Sequence, residues 1–142
     1  MKALVLDEYR QLNYRDFPDP VAEDGEVLIK VKACGICGGD VHGMDGSTGR
    51  RKPPIIMGHE ASGVIAALGA GVSGWNVGDR VTFDSTIYPL DDWFTRKGRY
   101  NLSDNRKVLG VSPGEYRKHG AFAEFVTVPQ HILYKIPEGV SF

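Results

Sequence analysis

Cys34-Gly35-Ile36-Cys37 sets two thiols three positions apart. At that spacing both can meet one soft metal ion, form a redox pair, or pack as two small apolar residues. A thioredoxin-like role wants a strand–helix–strand context, and a zinc ribbon wants a second such pair; the sequence offers neither. On the pair alone, metal ligand and structural cysteine stay open. Farther on, Gly58-His59-Glu60 sets an imidazole beside a carboxylate, ahead of a glycine-punctuated apolar strand. His42 follows Cys37 closely enough to sit near whatever Cys37 binds. His119 and His131 lack such neighbours and read as ordinary surface or hydrogen-bonding residues.

The elements that position these groups read as short strands. Val27, Ile29, Val31 and Ala33 alternate with Leu28, Lys30 and Lys32, the pattern of a half-buried strand. Residues 1–6, 12–17, 61–68, 79–84, 122–128 and 132–136 read the same way. Pro18-Asp19-Pro20, Asp24-Gly25, residues 69–74 and Pro137-Glu138-Gly139 are the turns between them. Strands of this length and spacing predict a closed or nearly closed antiparallel barrel. One helical turn is expected over residues 38–44, after the cysteine pair. Residues 84–120 read as a long irregular stretch.

The chain has 142 residues, 42% of them hydrophobic and 25% charged, which suits one domain with a real core. Its formal net charge of -1 gives no electrostatic reason to expect nucleic acid or an anionic membrane. No apolar run is long enough to span a membrane, and no secretory leader is expected. With just 2 cysteines, a reducing cytoplasm is the expected compartment.

Gly58-His59-Glu60-Ala61-Ser62-Gly63-Val64, followed by Gly69 and Val72, resembles the zinc signature of the medium-chain dehydrogenases. Residues 34–42 are similar to their first-ligand segment. Gly78-Asp79-Arg80-Val81 and Gly120-Ala121-Phe122-Ala123-Glu124-Phe125 match two further landmarks, and the resemblance runs from Met1 to Phe142. It is strongest toward the alcohol and polyol dehydrogenases. The resemblance implies a GroES-like β-barrel as an N-terminal catalytic domain, followed by a Rossmann nucleotide-binding domain in intact members. It implies Cys37 and His59 as zinc ligands and Glu60 as an acid beside the metal, binding it transiently or from behind. It implies Asp40 as a residue orienting the ligands and His42 as a proton relay. A small alcohol or polyol and NAD(P) are the implied partners.

Three departures shape the expectation. Residues 1–142 leave no room for a dinucleotide-binding βαβ sheet, and the family's remaining zinc ligand, a Cys or Glu, would fall past Phe142. The family's structural zinc lobe, with thiols spaced C-x2-C-x2-C-x7-C, is here Pro89, Asp92, Thr95 and Ser103, so no structural zinc is expected. Gly39 replaces the hydroxyl residue that takes the alcohol proton in the family. The expectation is a truncated or engineered catalytic domain, inactive alone, whose zinc site is empty or partly filled. Its exposed domain face is a candidate for self-association. The competing readings are a non-catalytic β-barrel scaffold and a zinc-binding module without catalysis.

Overall fold

A computed structural model describes residues 1–142. Strand β1 (Lys2–Glu8) turns through Tyr9 and Arg10 into β2 (Gln11–Asp16), pairing Leu6 with Leu12. Two residues of β4 (Ile55–Ile56) add to the other edge of β1. The main sheet contains β3 (Glu26–Cys34), β5 (Ala61–Leu68), β6 (Arg80–Phe83), β9 (Phe125–Pro129) and β10 (Leu133–Lys135). Its order is β10-β6-β5-β3-β9, and every neighbouring pair is antiparallel. The two sheets meet through residues 122–124: Ala3 bridges Ala123, and the Leu4 N–H donates to the Phe122 carbonyl.

The alternation read in the sequence is the alternation that is buried as far as Val31; beyond it Ala33, expected on the same face, is exposed and Cys34 packs against the core instead. Val27 and Ile29 of β3 pack with Ala61 and Ile65 of β5, Val81 and Phe83 of β6, and Val126 and Val128 of β9. Lys30 and Lys32 stay exposed. Two irregularities in the β3–β5 ladder, at Leu28/Ile29 and Val31/Ala33, end the strict period near Cys34. The domain is mainly β, as expected. One strand is shorter than expected: residues 122–124 lie outside β9 because they give their backbone to β1 and to Met57.

Residues 84–120 are more ordered than the sequence suggests. They contain a two-stranded ribbon of β7 (Thr86–Ile87) and β8 (Lys107–Val108) and a short helix, α2 (Trp93–Arg96). Asp92 caps α2 by accepting from the Thr95 N–H at 3.0 Å. The Tyr88 and Tyr100 rings stack at 4.4 Å, and the His131 ring stands edge-on to Tyr88 at 4.9 Å. Trp93 contributes little, being 64% exposed, with its ring edge-on to Phe94 at 5.0 Å. Burial lowers the pKa of His131 and likewise that of His119, whose Nδ1 accepts from the Ile56 N–H. Both histidines are half-buried parts of the packing.

Ser103, at one of the four positions where the family carries lobe thiols, is fully buried, and its hydroxyl has no hydrogen-bond partner. An unmatched buried hydroxyl costs about 1–3 kcal/mol. Ser103→Ala should therefore raise the thermal midpoint by a few degrees. A melting curve at or below the parent's would show that the hydroxyl is satisfied.

Candidate functional site

Cys37 and His59 are 22 residues apart, and antiparallel pairing brings them together. Cys34 ends β3 directly opposite Ala61, the first residue of β5. The Gly35 N–H then donates to the Glu60 carbonyl at 2.7 Å, tying the segment after β3 to the one before β5. The chain continues from Cys37 into helix α1 (Gly38–Met44). Asp40, in its first turn, reaches back and accepts from the Cys37 N–H at 3.2 Å through Oδ2. That reach-back carboxylate is half of a capping box and fixes where the helix starts.

The result is a cluster of Cys37, Asp40 and His59 whose ligand atoms all lie within 4.8 Å of one another. Cys37 Sγ stands 3.2 Å from His59 Nε2. On the far side of the ring, Asp40 Oδ1 faces His59 Nδ1 at 3.4 Å, and that nitrogen is buried with no hydrogen-bond partner. Asp40 is 2% exposed and Arg51, beside it, is 4% exposed; Arg51 Nη2 donates to Asp40 Oδ1 at 3.2 Å. An acid behind an imidazole whose other nitrogen faces a thiol is the arrangement of a carboxylate–histidine–metal site. Sulfur and nitrogen ligands of one tetrahedral zinc stand roughly 3.5 Å apart. The donor set therefore fits zinc, with a few tenths of an ångström of opening.

Next to His59 lies an open cleft of about 440 Å³, lined by Ala33, Gly35, Glu60, Ser62, Thr82 and Ser85 among others. Glu60 is exposed, with its carboxylate over Gly35. His42 is exposed on α1. Neither belongs to the three-residue cluster. Cys34 is also outside it: its thiol is turned to the Gly35 carbonyl, and burial raises its pKa to about 11. At pH 8 its thiolate is then on the order of one part in a thousand. In a Cys37→Ser chain, labelling of Cys34 by a thiol reagent should be very slow at pH 8 and rise about tenfold per pH unit toward pH 10. A rate that levels off below pH 9 would refute this.

Sequence reasoning missed Arg51, which reads as one of three cations in Arg50-Arg51-Lys52. Gly69-Ala70-Gly71-Val72-Ser73-Gly74, expected as a turn, also has the G-x-G-x-x-G spacing of a dinucleotide fingerprint. The structure explains this match as a turn. The segment leaves antiparallel β5, its Gly69 N–H and Ala70 carbonyl bond back to Glu26 and Gly25, and no helix follows.

Fold and site together define a β domain with a thiol–carboxylate–imidazole cluster, able to take a metal ion, at the lip of an open cleft. The comparisons identify the family. Residues 23–138 match the alcohol dehydrogenase GroES-like domain. The chain belongs to the zinc-dependent medium-chain dehydrogenases, as their N-terminal GroES-like catalytic domain. It is 38% identical to a sorbitol dehydrogenase of Halalkalibacterium halodurans over 99% of its length, and 33% identical to an (R,R)-butanediol dehydrogenase of Bacillus subtilis over its whole length. Among solved structures, an alcohol dehydrogenase from Thermus sp. ATN1 superposes with a TM-score of 0.90 at 29% identity, matching 99% of this chain and 41% of that one. A Sinorhizobium meliloti protein crystallised with NADP and named as a zinc-binding dehydrogenase gives 0.86 at 32% identity, with 99% and 39% of the two chains matched. The chain spans 40% of the sorbitol dehydrogenase and 42% of the butanediol dehydrogenase.

Proposed function

We propose that residues 1–142 form the metal-binding, substrate-facing domain of a zinc-dependent, NAD(P)-linked oxidoreductase of small alcohols or polyols. The observation that carries the reading is the approach of Cys37 Sγ to His59 Nε2 at 3.2 Å, with the Asp40 carboxylate behind the ring. Cys37 and His59 would hold the zinc. Glu60, one residue from His59 at the cleft, is the acid beside it. Bound zinc would supply the positive charge that makes a substrate hydroxyl acidic near neutral pH.

The chain's own residues do the rest. Asp40 keeps the His59 ring turned so that Nε2 faces Cys37. Ser62 and Ser85 put hydroxyls on the cleft wall, which suits a polyol better than a plain hydrocarbon alcohol. Gly39 supplies no hydroxyl, so the proton leaves through water to the exposed His42 imidazole, at some loss of rate. Hydride transfer needs a nicotinamide within about 3–3.5 Å of the reacting carbon. The fold of residues 1–142 has no βαβ crevice for one. In this reading these residues alone bind metal and do not turn over alcohol.

The test is metal analysis of the purified chain, with cobalt substituted for zinc as a spectroscopic probe. One ion per chain, with a sulfur-to-cobalt charge-transfer band that Cys37→Ser removes, supports the reading. A chain that takes up no zinc favours the scaffold reading. Zinc uptake that survives Cys37→Ser contradicts the assigned ligands.

A further inference from the structure

Arg51 is nearly fully buried, a rare place for so long and charged a side chain, while its neighbours Arg50 and Lys52 are exposed. Its stem runs beneath α1. A Cβ placed on Gly43 would stand 2.2 Å from Arg51 Cδ, and one placed on Gly39 would stand 3.4 Å from Nη2. Gly39 and Gly43 are four residues apart and share one helix face. Their missing side chains form the slot that Arg51 fills. At the end of the slot the guanidinium meets Asp40 Oδ1, the same oxygen that faces His59 Nδ1.

We propose that Arg51 is a positioning residue of the Cys37–His59 centre. It pins the Asp40 carboxylate and through it sets both the His59 ring and the turn that carries Cys37. Asp40 has three neighbours to satisfy: the Cys37 N–H, the His59 ring and the guanidinium. Helix α1 cannot hold the acid in place by its own stability. Three of its seven residues are glycine, each costing about 1 kcal/mol of helix propensity relative to alanine. The permanently charged guanidinium meets the carboxylate from the buried side through Nη2, and being more weakly hydrated than a lysine ammonium it is the easier cation to hold there. Carboxylates behind metal-bound histidines orient the ring, and losing such outer partners weakens metal binding about 10–100-fold. The metal arm of this inference rests on the zinc reading above.

The test uses the 142-residue chain with Arg51→Met and Arg51→Lys. Zinc affinity is measured by chelator competition, circular dichroism reports the fold, and heteronuclear NMR reads the His59 ring nitrogens in the metal-free chain. Arg51→Met is expected to stay folded, bind zinc about 10–100-fold more weakly, and shift the His59 nitrogen resonances toward a mixture of tautomers. Arg51→Lys restores the charge but little of the affinity. A folded Arg51→Met chain with parental affinity and parental His59 resonances overturns the proposal. If Arg51→Met fails to fold, Arg51→Lys is judged by the same two readouts. If the parent chain binds no zinc yet the His59 resonances respond to Arg51→Met, the zinc reading falls and the positioning role stands. If zinc binds parent and variant equally and the resonances do not move, the positioning role falls and the zinc reading stands.

Discussion

Asp40→Ala is expected to lower the unfolding free energy by about 3–5 kcal/mol, the cost of leaving one member of a buried ion pair without its partner. Asp40 and Arg51 are 2% and 4% exposed, so no solvent reaches in to replace the lost carboxylate. The same change removes the acceptor for the Cys37 N–H and so loosens the start of α1. Urea unfolding measures the effect: the midpoint should fall with little change in slope. Asp40→Asn keeps an acceptor oxygen for Cys37 but no negative charge for the guanidinium, and should fall between parent and alanine. A loss below about 1 kcal/mol for Asp40→Ala would mean that Arg51 swings out to water, as surface pairs do.

How much of this was legible in the sequence depended on which physical signal each part carries. Strands β3 and β5 alternate because one face is buried, and alternation survives in a single sequence. The two residues of β4 are a continuous apolar pair within Ile55-Ile56-Met57, all buried, and a run without alternation gives no period to read. Cys37 and His59 stand out by residue type and spacing and Asp40 by family resemblance, and the fold brings those three together. Glu60 and His42, noted for their nearness in sequence to His59 and Cys37, stay exposed at the margin, because nearness in sequence does not fix the direction of a side chain. Arg51 left no sequence signal: a buried arginine and two solvated neighbours look alike when written Arg50-Arg51-Lys52. Its burial follows from the absence of side chains at Gly39 and Gly43, a complementarity visible only once the helix lies over it. Residues 69–74 read as a turn and are one; their G-x-G-x-x-G spacing carries no dinucleotide meaning without the strand–helix context that this fold lacks.

Gly58→Ala should cost about 2–5 kcal/mol, although it adds a single methyl group and removes no contact. Two separate penalties combine. Gly58 has φ of +87°, and a residue with a Cβ pays about 1–2 kcal/mol there. The new Cβ would also stand 2.8 Å from the Phe122 backbone nitrogen and 2.5 Å from its ring. That backbone cannot retreat freely. The Phe122 N–H donates to the Met57 carbonyl, the Ala121 N–H to the Gly58 carbonyl, and the Gly120 N–H to the Ile56 carbonyl. Overpacking of this kind costs about 1–3 kcal/mol. Moving residues 120–122 would disturb the seam between the two sheets, and moving residue 58 would displace His59 beside it. The variant should therefore lose metal affinity as well as stability, with urea unfolding and chelator competition as the two measurements. Gly71→Ala is the control: that glycine also has positive φ, +73°, but a Cβ there meets nothing within 4 Å. It should show the conformational penalty alone, about 1–2 kcal/mol, and leave metal binding unchanged. Equal losses at the two positions would mean that the contact with Phe122 carries no weight.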